Sequence, residues 1–188
     1  MSEAINRIQY GTFSLIACCI FYLIWWSVTF NPMKVFPAPP KYILFVFTFL
    51  AGVGGIALLL SGVRDLPANR GGISNIVITA AGIIIYFVLL FISNRLLHRQ
   101  VTTELALIIA WTVLELCIMN SLYRSDETAL NITFLYVIII IAAAVIGMLC
   151  YLAYYNLEDK TAFYTGMVPL ILFAVIMALQ LPVIRSCF

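Results

Sequence analysis

The sequence predicts an all-α integral membrane protein, a compact bundle of six transmembrane helices. Three observations carry that prediction. Hydrophobic residues make up 64% of the chain and charged residues only 10%, where a soluble domain averages about 25% charge; mean hydropathy is +1.11. Six apolar runs follow one another, each near the roughly 20 residues that cross hydrocarbon as a helix. The stretches between the runs are short and gather most of the prolines and most of the charge. Runs this long and continuous are helices, because barrel strands would be short and alternating. No polar stretch is long enough for a soluble domain, so residues 1–188 read as one polytopic membrane domain.

The first run, 11–30, follows a polar decapeptide and exceeds the 7–15 residues of a signal-peptide core. Trp25, Trp26 and Phe30 stand where a small-residue cleavage site would, so it is retained as the first span. The 31–41 connection holds Pro32, Pro37, Pro39 and Pro40, which are expected to stiffen it and exclude helix. The second run, 43–62, carries Thr48, Gly52, Gly55 and Gly62 on one face, a pattern expected to let helices approach closely. Residues 64–72, with Pro67 and Gly71-Gly72, form the second connection.

In the third run, 74–94, Asn75, Thr79, Gly82, Tyr86 and Ser93 share a narrow helical stripe, with more polarity than packing requires. A tight 95–100 turn leads to the fourth run, 101–122, where Glu104, Ile108, Trp111 and Glu115 share a face. The 123–129 and 156–162 connections flank the fifth run, 130–155, and the sixth is 163–184. Connections this short make consecutive helices antiparallel neighbours, and an even number of helices puts both termini on one side. Aromatic residues, 14% of the chain, gather at run ends, including Trp25, Trp26, Tyr42, Tyr123, Tyr154, Tyr155 and Tyr164, as expected for rings that prefer the membrane interface. Orientation is not encoded in the basic residues. Arg7, Arg64, Arg70, Arg124 and Arg185 lie on the side of the termini and Lys34, Lys41, Arg95, Arg99 and Lys160 opposite, an even split of the ten. The two halves of the chain share no motif that aligns.

Glu115 is the one ionisable side chain set deep inside an apolar run. A carboxylate at that depth costs roughly 2.5–3.5 kcal/mol on insertion scales. Glu104, by contrast, sits in the first turn, where it favours the helix dipole and reaches water, so a structural role is its default. Mirroring positions through the connections places Ser14, Thr79 and Gln180 near the depth of Glu115. No Lys or Arg lies within a run, so the expected state of Glu115 is either a neutral structural donor or an acid that ionises when a cation or water reaches it.

Several chemistries are excluded or disfavoured. The single histidine, His98, lies in a connection, which argues against paired-histidine haem ligation and histidine-rich metal sites. The lysines at 34, 41 and 160 all lie outside the runs, which removes an intramembrane Schiff base. There is no glycine-rich phosphate loop, nucleophile elbow or His-Glu-x-x-His pair. The acidic pairs Asp126-Glu127 and Glu158-Asp159 each lie beside a basic residue and read as solvated loop clusters. Five cysteines, an odd number without a Cys-x-x-Cys pair, read as small hydrophobes. No cofactor is expected, and a net charge of +2 does not suggest nucleic acid.

The expectation is a small transporter or channel for a solute or ion. Its path would be lined by Glu115, Thr79, Gln180, Tyr86, Asn75 and Trp111, with Glu115 as the proton- or cation-responsive group. The rival expectation is a subunit that binds lipid or another hydrophobic ligand, or regulates a larger membrane partner, without transport. A membrane enzyme ranks third, because only the interfacial Glu104 offers a second carboxylate. Membrane lipids are expected partners in every case, and self-association through glycine faces such as Gly52 and Gly55 is a further expectation.

Overall fold

A computed structural model describes residues 2–32, 38–97 and 103–186; Lys34, Pro37, His98, Arg99, Thr102 and Cys187 lie outside them. The described residues form helices and no strand. The helices are α1 (Ser2–Thr29), α2 (Ala38–Asp65), α3 (Asn75–Leu97), α4 (Thr103–Arg124), α5 (Leu130–Tyr154) and α6 (Asp159–Arg185). All six are long and apolar enough to cross a membrane.

Three helices start earlier than expected, each for a physical reason. The polar decapeptide belongs to α1 because Ala4, Ile5 and Ile8 form a buried stripe among its charges. Helix α2 begins at Ala38, correcting the expectation that Pro39 and Pro40 exclude helix. A proline in the first helical turn forfeits an N–H that has no partner within the helix anyway. Helix α6 begins at Asp159, an acidic residue that suits a helix N-terminus, and the Ala162 N–H donates to the Glu158 carbonyl at 2.8 Å.

The chain divides into two compact units, Met1–Leu66 with Leu149–Phe188, and Pro67–Met148. In the first unit, α1 packs on α2 through a seam of glycines. A Cβ added at Gly55 would lie 2.9 Å from Leu15 Cδ2, and one at Gly11 2.7 Å from Leu59 Cγ. Ser14 Oγ donates across the seam to the Ala51 carbonyl at 2.9 Å. At one end of the seam, Arg7 bridges Glu3 and Asp65 at 2.6 Å each. Helix α1 also meets α6. There the Trp26 indole donates to the Phe163 carbonyl at 3.3 Å and lies against Gly166, where a Cβ would come within 2.8 Å of the ring.

In the second unit α3 packs on α4. The C-terminus of α4 closes with Asp126 in the left-handed region (φ 72°), a conformation that aspartate tolerates better than most residues. The Asp126 N–H reaches the Tyr123 carbonyl at 3.2 Å and the Glu127 N–H the Leu122 carbonyl at 3.0 Å, the pattern of a Schellman cap. The loop before α3 completes the closure, with the backbone N–H groups of Asn69 and Arg70 both donating to the Arg124 carbonyl at 2.8 Å.

Candidate functional site

Helix α4 is built to hold Glu115 inside. Its buried residues include Leu105, Ile108, Glu115, Ile118, Met119 and Leu122, a face that recurs at helical spacing. Glu115 is 1% exposed. It stands 12 residues from the start of α4 and 9 from its end, roughly 18 Å and 14 Å at 1.5 Å per residue. Glu104, one helical face-mate, is exposed, and Trp111, between them, is half-buried. The mid-helix acid and the first-turn acid are thus distinguished by burial as well as by position.

On α3 the predicted stripe splits by role. Asn75 is half-buried and links α3 to α4: its amide donates to Ser121 Oγ at 2.7 Å, and its carbonyl oxygen accepts from the Asn120 amide at 2.7 Å. The same Asn120 amide reaches the Ile73 backbone carbonyl at 2.9 Å. Thr79 is exposed, and its hydroxyl donates to the Asn75 carbonyl at 2.9 Å on its own helix. Its oxygen lies 3.9 Å from the Cys117 sulfur. Tyr86 is half-buried, its ring edge-on to Phe87 at 5.4 Å. Asn75 and Thr79 are therefore neighbours, joined by Asn120, Ser121 and Cys117. Those three were not foreseen, although Asn120-Ser121 is the most polar pair near the end of the fourth apolar run.

Beyond this network, α3 and α4 leave an apolar groove of about 270 Å³. Val77, Ala81 and Ile85 line it from α3, and Ile109, Val113 and Leu116 from α4. Its depth depends on Gly82, since a Cβ there would run into Val113. The hydroxyl of Thr112, also on its wall, is turned to the Ile108 carbonyl at 2.7 Å. Glu115 is not among its lining residues.

Gln180 belongs to the other unit, on α6 two residues before Pro182. It is 0% exposed, and neither its amide nitrogen nor its oxygen has a hydrogen-bond partner among the described residues. Ser14, in that unit too, spends its hydroxyl on the α1–α2 seam. Among the described residues no three of His, Cys, Asp and Glu come together to hold a metal ion. Comparison with known protein families, with curated proteins and with solved structures finds no match.

Proposed function

We propose that this chain is a multi-pass membrane protein whose helices form a transmembrane bundle that moves a small solute or ion, with Glu115 as the proton- or cation-responsive group of the path. The observation that carries this reading is the complete burial of an acid at the middle of a helix long enough to span a membrane. Both ends of α4 lie beyond the reach of a glutamate side chain, so Glu115 cannot relieve its burial by extending to the interface. A leucine would be cheaper there by about the insertion cost of the acid. An acid at this depth ionises when water or a cation arrives and returns to neutrality when it leaves, which is the response a coupled carrier uses. Gln180 supports the reading on its own account, as a fully buried amide with no hydrogen-bond partner among the described residues.

The test is flux in reconstituted vesicles loaded with a pH-sensitive dye, under imposed proton, Na⁺ and K⁺ gradients. Wild type is expected to carry a proton- or cation-linked flux that falls at least tenfold in Glu115→Gln and partly survives in Glu115→Asp. Full activity in Glu115→Gln overturns the reading. The apolar groove favours a second reading, binding of a lipid or other hydrophobic ligand without transport, and a wild type that carries no flux would leave that one standing.

A further inference from the structure

We infer that the α3–α4 groove and Arg124 together form a binding site for one anionic phospholipid, with an acyl chain in the groove and the headgroup phosphate on the guanidinium. The inference rests on the second reading above and gives it a ligand class. Three observations support it.

The groove runs most of the depth of one leaflet. Its helical wall on α3 runs from Val77 to Ile85, eight residues or roughly 12 Å, against about 15 Å for half of a bilayer core, with Ile73 lining it from the preceding loop. Its walls offer an acyl chain methyl and methylene surface. The one wall hydroxyl, Thr112, is already bonded to its own helix.

A cation stands at the interfacial end. The aliphatic stem of Arg124 lies against the loop just before Ile73: a Cβ at Gly72 would be 3.4 Å from Arg124 Cγ and 3.6 Å from Cδ. The Arg124 carbonyl accepts from both Asn69 and Arg70, which holds this loop against the end of α4. Arg124 is half-buried, and among the described residues it makes no ion pair.

The second cation at this end does not compete with Arg124. Its neighbour Arg70 is committed: it pairs with Asp126, donates to the Thr128 carbonyl at 3.2 Å and lies over the Tyr123 ring at 5.3 Å. The carbonyl end of α4 would ordinarily repel an anion. Here the carbonyls of Leu122, Tyr123 and Arg124 are already closed by backbone N–H groups, which blunts that repulsion. Arginine matches a phosphate in shape as well as charge.

The experiment is native mass spectrometry of the full chain in detergent, titrated separately with dioleoyl-phosphatidylglycerol and dioleoyl-phosphatidylcholine. The anionic lipid is expected to bind about fivefold more tightly, the factor that one basic residue contributes near a membrane surface. Arg124→Gln should equalise the two lipids, Arg124→Lys should keep much of the preference, and raising salt should erode it in the wild type. Ala81→Phe, at an exposed wall position, should weaken both lipids alike. Equal binding of the two lipids to wild type overturns the inference, whether or not Arg124→Gln folds. So does a preference that survives Arg124→Gln. If Ala81→Phe binds both lipids as wild type does, the groove is not the site, and the second reading falls with the inference.

Discussion

Gly62→Ala tests whether backbone contact holds α1 against α2. A Cβ at Gly62 would lie 2.7 Å from Ile8 Cγ1, 2.8 Å from the Ala4 carbonyl oxygen and 3.1 Å from the Ile8 nitrogen. Carbon contacts are comfortable at about 3.5–4.0 Å, so the helices must separate by somewhat under 1 Å. Two of the three obstructing atoms are backbone, and no rotamer change relieves them. Overpacking of this kind costs about 1–3 kcal/mol. Alanine is also the better helix former, by up to about 1 kcal/mol, and that gain would mask part of the loss. Gly54→Ala removes the ambiguity, because it makes the same exchange on the same helix and its Cβ meets nothing within 4 Å. The difference between the two variants therefore isolates the contact. At roughly 2–4 °C per kcal/mol for a chain of this size, Gly62→Ala should melt about 2–12 °C below Gly54→Ala in detergent. Equal melting temperatures, or a more stable Gly62→Ala, would refute the claim that the seam is closed by backbone.

Two further outcomes follow from the polar side chains. Asn120→Leu removes donors to Asn75 Oδ1 and the Ile73 carbonyl; it should cost about 0.6–2 kcal/mol, the range of interhelical hydrogen bonds within membranes, read as a lower thermal midpoint, and an unchanged midpoint would show that the amide pair is not holding α3 to α4. Gln180→Leu should do the opposite, raising stability by about 1–3 kcal/mol because it deletes a buried amide without described partners, while reducing any flux the wild type carries; a loss of stability comparable to a core truncation would show that the amide is satisfied and structural.

The six helices were legible because hydropathy and length are properties of continuous runs. The glycine face of α2 was legible too, since Gly52, Gly55 and Gly62 repeat at helical spacing. What it packs against was not. Ala4 and Ile8, the partners of Gly62, are interleaved with Glu3, Asn6 and Arg7, and in a one-dimensional reading those polar residues hide the buried stripe. At the start of α2 the exclusion of proline from helices depends on position, and the first turn is where it does not hold. On the site side, Glu115 stood out because a charge in an apolar run needs no neighbour to be noticed. The Asn75–Asn120–Ser121 network did not, because its partners lie 45 and 46 residues apart, and pairing across two helices depends on their rotation, which periodicity leaves open.

Polar side chains within the spans sort by where their hydrogen bonds go. Thr12, Thr48, Thr79, Ser93 and Thr112 each bond a carbonyl of their own helix. Such bonds let a hydroxyl sit in hydrocarbon without asking anything of a neighbour. Ser14, Trp26, Asn75 and Asn120 bond across helices and account for themselves as structure. Gln180 fits neither class, and Glu115 differs from all of them because its side chain can carry charge at a depth where charge is costly. Glu115 on α4 and Gln180 on α6 are the largest polar side chains fully buried among the described residues, and under the proposed reading they are the positions at which a substitution should lower flux.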